Sequence, residues 1–343
     1  MSSIAGAHVS VSIILPAYNA GSGFDAALER VLDTCPEDGE IIVVDDGSTD
    51  GSADVATAFS HGKPNVSVIT MPDNRGVANA RNAALERARG DYIWFVDWDD
   101  EWSADIVRAL LRTARTTDSD IVVCCGRWKS ADGLVRGRVE DLPGRDAFSG
   151  PEAIEEMLQG GLKGYLWTKL IRRDLIQLPA FPLQRSQSDF CGLTSIVARA
   201  QRVSILREDL YWHIVREGSI TNSREPQLDN LDRCREAIQA VADEVLPDTS
   251  RTRRLKLVYD YEFWMLSRVN TALRLSKPET ARAEVSNGAA SMRWRELVEV
   301  ATIRPKTALR SSVVLLLRRA YVPFWRTATG ARSRLRRVRA ARL

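Results

Sequence analysis

The sequence predicts an α/β fold: a mainly parallel sheet flanked by helices, then a C-terminal helical extension and a basic tail. Three observations carry this. Residues 9–125 alternate between short apolar runs and stretches with helical spacing. The runs are rich in Val and Ile and unbroken, as expected of parallel strands covered on both faces. From Glu225 to about residue 302 the periodicity is helical throughout, and beyond it Arg accumulates without acid.

The elements follow in order. Residues 9–15 form the first apolar run, and Phe24, Ala27, Leu28, Val31 and Leu32 then fall on one helical face. Residues 41–44 form the second strand, 52–59 a helix, and 66–71 the third strand. Val77, Ala80, Ala84, Leu85 and Ala88 mark another helix before a strand at 92–96. A helix at 104–115 and a strand at 121–125 complete the pattern. Residues 128–138 read as a hairpin turning at Asp132-Gly133. Ser149-Gly-Pro-Glu152 reads as a capping box opening a helix to Gln159. A helix at 189–200 precedes two short strands, 203–206 and 210–215.

Composition sets the class. The chain has 343 residues, 44% of them hydrophobic and 27% charged, which supports a globular core and excludes a disordered or fibrous chain. The net charge of +3 hides an asymmetry. Residues 301–343 hold 12 Lys/Arg and no Asp/Glu, so the rest carries 36 Lys/Arg against 45 Asp/Glu. Five cysteines without a CxxC argue against a disulfide framework or structural zinc, and His8, His61 and His213 are scattered. The N-terminus lacks a basic n-region, and no apolar run is long enough to span a membrane. These features point to a reduced, cytoplasmic setting.

Ligands of such sheets bind beyond the carboxyl ends of the strands. Two strands end there in acids: Asp45-Asp46-Gly47-Ser48-Thr49-Asp50 and Asp97-Trp98-Asp99-Asp100. Clustered carboxylates repel, and hard divalent cations relieve the repulsion with the help of substrate phosphates. A solvated acidic turn capping the next helix is the alternative. An EF-hand starting at Asp46 fails because its twelfth position is Thr57. Arg81 lies on an apolar helix face, so it needs an anion, either a phosphate or an acidic strand end. Gly21-Ser-Gly23-Phe-Asp-Ala26 matches a dinucleotide fingerprint, with Asp45 19 residues beyond Ala26. Its glycines sit too far past the strand, however, and it gives the Asp97 cluster no role. An NAD(P)-dependent enzyme is therefore disfavoured, and no P-loop is present.

Four motifs in this order resemble family-2 glycosyltransferases of the GT-A fold, the type found in bacterial cell-wall, teichoic-acid and capsule synthesis. They are Val11-Ser-Ile-Ile-Leu-Pro-Ala-Tyr-Asn19, Val43-Val-Asp-Asp-Gly-Ser-Thr-Asp50, Asn74-Arg-Gly-Val-Ala-Asn-Ala-Arg-Asn82 and Phe95-Val-Asp-Trp-Asp-Asp100. Weaker resemblance continues through Leu166-Trp-Thr-Lys-Leu-Ile-Arg-Arg173 and Arg216-Glu-Gly-Ser-Ile-Thr221. The resemblance implies an inverting, metal-dependent transfer from a nucleotide-diphosphate sugar, commonly a UDP-sugar, to an acceptor hydroxyl. It implies that Pro16, Ala17, Tyr18, Asn19 and Asp45 or Asp46 line the nucleoside pocket, with Asn74 and Arg81 nearby. Asp97 would touch ribose or metal, and Asp99 would hold Mg2+ or Mn2+ at the diphosphate.

The implied general base is Asp189, although Ser188 stands where the family usually has glutamate; a helix cap is the alternative for Asp189. Trp98 would stack on a sugar beside Trp102 or pack in the core. His213 would approach metal or acceptor, or sit half-buried in a strand. No QxxRW occurs, which disfavours a processive synthase. The other functional class is a catalytically inactive relative acting as a scaffold. The expected organisation is a catalytic domain at 1–222 (nucleotide-sugar half 1–105, acceptor half 106–222), a helical extension at 223–300 and the tail at 301–343.

The acceptor expected from the resemblance is a glycan, teichoic-acid or lipid-linked hydroxyl. The tail mixes Arg with Val313, Val314, Leu315–Leu317, Tyr321, Val322, Phe324 and Trp325, which suits an anionic leaflet. An anionic polymer, nucleic acid (the least favoured) and a solvated or oligomerising helix are its alternatives. The expected location is peripheral, on the inner face of the plasma membrane.

Overall fold

The structure is a computed structural model that describes residues 8–139, 144–184, 186–215, 228–275, 278–325 and 327. The chain divides into two compact units. The first comprises Met1–Ser219 with Glu236–Leu246, and the second Ile220–Arg235 with Pro247–Leu343.

The first unit holds a ten-stranded sheet. Its parallel block runs β3 (Val66–Thr70), β2 (Glu40–Asp45), β1 (Val11–Ala17), β4 (Tyr92–Phe95). Every residue of β1, β2 and β4 is buried, which is why these strands read as unbroken apolar runs. Helices α1 (Phe24–Thr34), α2 (Ser52–Ser60) and α3 (Val77–Leu85) make the crossovers. Pro16 sits inside a central strand, where it normally breaks a ladder. Here β4 pairs β1 only as far as Ile14, so Pro16 falls where one neighbour has left.

Two sequence expectations change. Lys169–Arg172 forms a strand, β9, that inserts antiparallel between β4 and β6 (Ile121–Ser130). Its Lys169 is buried, and the ammonium is satisfied by the Tyr165 carbonyl at 2.9 Å and Thr168 Oγ1 at 3.1 Å. The two short strands expected after residue 203 are one long strand, β10 (Val203–Val215), parallel to β6. Its register shifts twice between Leu206 and Tyr211, where Arg207, Glu208 and Leu210 have no partner on β6 while Asp209 pairs Cys125.

The remaining elements include β5 (Glu101–Trp102) and β8 (Ala147–Phe148), both antiparallel to β10. The hairpin partner of β6 is β7 (Val135–Arg138), with Gly133 at φ +84° in the turn. Helices α4 (Ile106–Thr117), α5 (Gly150–Gln159) and α6 (Ser188–Ala198) complete the first unit. The capping box at Ser149 forms as expected.

One glycine fixes the geometry around the acidic turn after β2. Gly47 has φ +72°, and a Cβ there would lie 2.5 Å from the Asp73 carbonyl carbon and 2.7 Å from the Asn74 nitrogen. Backbone strain and a backbone clash both oppose a side chain. Gly47→Ala is expected to destabilise the protein by about 2–3 kcal/mol. Urea unfolding checks this, and an unchanged midpoint would refute it.

The second unit is helical. Helix α7 (Leu228–Val245) contains the division between the units at Arg235/Glu236. Then come α8 (Ser250–Tyr259), a π-helical segment Asp260–Met265, α9 (Leu266–Leu275), α10 (Pro278–Ser291), α11 (Trp294–Ala301) and α12 (Pro305–Leu317). Val258, Tyr261, Val269, Val285 and Val300 share a core with Ala308, Val314, Leu315 and Val322. Part of the segment read as a basic tail therefore belongs to this core.

Candidate active site

The site residues collect at the carboxyl ends of β1, β2 and β4. Asp45 ends β2 and is buried; its Oδ2 accepts the Ser48 N–H at 3.1 Å, while its Oδ1 has no partner. A buried carboxylate oxygen without a donor costs free energy unless a ligand supplies one. Asp46 differs. It accepts the N–H groups of Arg75 at 3.0 Å and Gly76 at 2.8 Å, which clamp the loop before α3. Burial pushes the Asp46 carboxyl up, and the charges of Asp45 and Asp73 add to this against those two donors. Of the two acids, Asp45 has the oxygen that lacks a donor.

Tyr18 stands at the end of β1 with 45% of its surface exposed, so its ring is available for stacking. Pro16 and Ala17 are buried in β1, and Ala17 pairs with Asp45. Asn19 is committed to the protein: its Oδ1 accepts the Thr49 N–H at 2.8 Å, and its N–H donates to Ser48 Oγ at 2.8 Å. Asn74 is exposed, and its Oδ1 accepts the Gly76 N–H at 3.0 Å. Both asparagine side chains thus hold loops beside these strand ends.

Arg81 and the β4 acids form the centre. The Arg81 guanidinium is buried; one nitrogen lies 3.4 Å from Asp97 Oδ1, while Nε has no partner. Burial raises the half-buried Asp97 carboxyl to about 6, Arg81 opposes the rise, and the charges of Asp100 and Asp99 reinforce it. Asp189 lies on the first turn of α6 and also feels the Arg81 charge. Burial raises its carboxyl above the usual value, against Arg81, the Phe190 N–H at 2.9 Å and Lys169. Two acids 92 positions apart in the chain thus feel the charge of one guanidinium, which lies 3.4 Å from Asp97.

Asn82, next to Arg81, ties α3 to the segment before α6. Its Nδ2 donates to the Phe181 carbonyl at 2.8 Å, and its Oδ1 accepts the N–H groups of Ala180 and Phe181, each at 3.0 Å. This side chain thereby pins the segment leading to α6. The sequence reading gave Asn82 no role, and its place within the third motif was the only signal.

Asp100 is the acid that sequence reasoning left unassigned. It is buried; its Oδ2 accepts Tyr211 OH at 2.8 Å and lies 2.9 Å from His213 Nδ1, while its Oδ1 accepts the Ile214 N–H at 2.8 Å. It ties the β4 acid cluster to β10. Burial pulls the His213 imidazole down, but the Asp100 hydrogen bond and the charges of Asp100, Asp97 and Asp99 outweigh it and raise the pKa. His213 also stacks on Trp167, with 5.6 Å between centroids and 3° between planes. It is thus the half-buried strand histidine weighed in the sequence, held beside the acid cluster. Trp98 packs edge-on against Phe24, 6.1 Å between centroids, and Trp102 stacks on Tyr211 at 6.2 Å.

Among the described residues, no group of three or more His, Cys, Asp or Glu side chains is arranged to hold a metal alone. The donor set still fits a hard cation. Asp97 and Asp99 are carboxylates two positions apart just after β4, and Mg2+ commonly takes one or two carboxylates with substrate phosphates completing its shell.

Residues 12–175 match the family model for glycosyl transferase family 2. A putative glycosyltransferase of Bacillus subtilis, EpsH, is 28% identical over 231 residues, which is 64% of this chain and 64% of EpsH. Among solved structures, residues 1–349 of S. aureus TarS in complex with UDP-GlcNAc superpose with a TM-score of 0.70 at 20% identity. That likeness covers 93% of this chain and 92% of the other. A mannosyltransferase of Pyrobaculum calidifontis, PcManGT, in complex with GDP-Man and Mn2+ superposes with a TM-score of 0.54 at 16% identity, covering 90% of this chain and 87% of that one. These are likenesses of fold. Together with the family match over residues 12–175, they mark those residues as a glycosyl transferase family 2 domain in a chain of the GT-A fold.

Proposed function

We propose that the protein is an inverting, metal-dependent glycosyltransferase. It moves a sugar from a nucleotide-diphosphate donor, a UDP-sugar, to a hydroxyl of a cell-surface glycan, teichoic-acid or lipid-linked acceptor. One observation carries this reading: the buried Arg81 guanidinium lies 3.4 Å from Asp97 at the end of β4, and its charge also reaches Asp189 on α6. The UDP-GlcNAc bound by TarS supports the donor class, and the Mn2+ in PcManGT supports a divalent ion.

Each group then has a task. Tyr18 stacks on the base, and the open Oδ1 of Asp45 accepts a base or ribose donor. The unpaired Nε–H of Arg81 donates to a donor-side oxygen, so the buried guanidinium is neutralised on two sides. Asp97 and Asp99 would hold Mg2+ or Mn2+, whose charge would offset that of the departing diphosphate. The Asp189 carboxylate takes the proton of the acceptor hydroxyl as that oxygen bonds to the anomeric carbon. The bond from that carbon to the diphosphate breaks on the opposite face, and its electrons leave with the diphosphate.

A thermal-shift screen of nucleotide sugars with Mg2+ and Mn2+ identifies the donor, because a ligand of the native state raises its stability. Donor hydrolysis and transfer are then compared between wild type and Asp99→Ala. The variant is expected to lose about 100-fold in metal-supported turnover. Undiminished turnover would defeat the metal assignment. A wild type that binds donor yet neither transfers nor hydrolyses it would favour the inactive scaffold.

A further inference from the structure

Residues 301–343 contain 12 Lys/Arg and no Asp/Glu. Helix α12 sorts its share of them by face. Thr307, Ala308, Ser311, Val314 and Leu315 are buried within the second unit. Leu309, Val313 and Leu316, spaced i, i+4, i+7, share the opposite face, and Leu309 and Leu316 expose 68% and 69% of their surfaces. Lys306 and Arg310, four positions apart, lie along one side of that stripe and are exposed, with Arg310 also 3.9 Å from the Glu262 carboxylate. Farther along, Phe324 is 51% exposed. Of the apolar residues the sequence offered as membrane anchors, Val314, Leu315 and Val322 are thus spent on the core.

An outward leucine stripe beside lysine and arginine, with no acid in the segment, has the chemistry of an interfacial helix. We propose that α12 docks on an anionic lipid bilayer. Leu309 and Leu316 enter the acyl boundary, and Lys306 and Arg310 meet headgroup phosphates. No described helix is long and apolar enough to cross a membrane, so α12 lies on the bilayer. A soluble anionic polymer would engage the cations and leave the leucines in water. A second copy would oppose two faces of the same positive charge. Only a bilayer matches both parts of the face.

The experiment is vesicle sedimentation with the full chain, which needs neither donor nor acceptor and so stands apart from the glycosyltransferase reading. Phosphatidylglycerol-containing vesicles are compared with pure phosphatidylcholine across a salt series. Wild type is expected to partition onto the anionic vesicles, and less so as salt rises. Leu309→Gln/Leu316→Gln keeps charge and, being on the exposed face, keeps the fold; it is expected to lower partition about tenfold. Circular dichroism checks the fold. Failure of wild type to sediment with anionic vesicles would overturn the proposal. So would undiminished binding by the double variant, or a wild-type dimer that the variant dissolves.

Discussion

Asp189→Asn is expected to lower the transfer rate about 1000-fold while leaving donor affinity and thermal stability nearly unchanged. The argument rests on what asparagine keeps. Asp189 lies in the first turn of α6 and accepts the Phe190 N–H at 2.9 Å. Asparagine keeps an oxygen acceptor there, so any capping contribution survives. It cannot take a proton from a hydroxyl. The variant therefore separates a base from a helix cap.

Burial raises the Asp189 carboxyl above the usual value, so the carboxylate is a stronger base than an exposed aspartate. The sign follows. The base is competent above its raised pKa and is lost as pH falls through it. Hence kcat/KM should fall on the acid side at a higher pH than an ordinary aspartate would give. The residual activity of Asp189→Asn should lack that limb. Full transfer by this variant would reject Asp189 as base, and a large fall in its melting temperature would assign it to structure.

What the sequence showed depended on how locally each interaction is made. Strands β1, β2 and β4 were legible because every residue in them is buried, so the apolar run is itself the signal. The fourth motif, with the resemblance, marked the acids after β4. Strand β9 was not legible. It is four residues long and begins and ends with a cation, and Lys169 is tolerable only because the Tyr165 carbonyl and Thr168 hydroxyl meet it. The division of labour between Asp45 and Asp46 was equally hidden. Adjacent identical residues differ only through Arg75 and Gly76, whose N–H groups saturate one of them. Asn19 and Asn74, expected at the nucleoside pocket, hold backbone N–H groups with their side-chain oxygens, a structural role the sequence did not show. Such roles depend on partners up to 30 positions away, which periodicity does not report.

Asp100→Ala is expected to be the most destabilising single change at the site, at about 3–5 kcal/mol. Asp100 is buried and receives the Tyr211 hydroxyl, the His213 imidazole and the Ile214 N–H. Alanine leaves all three without an acceptor. Tyr211 is itself fully buried between Trp102 and Trp167, so its hydroxyl has little access to water. A double-mutant cycle with Tyr211→Phe tests the account. Phenylalanine removes one stranded donor, so Asp100→Ala should cost less in that background than in wild type. Asp100→Asn keeps a carbonyl for the Ile214 N–H and should fall between. The cost is read from urea unfolding of the first unit's transition. Additive costs in the cycle, or a loss below about 1 kcal/mol for Asp100→Ala, would mean that Asp100 does not anchor β10 to the acidic strand end.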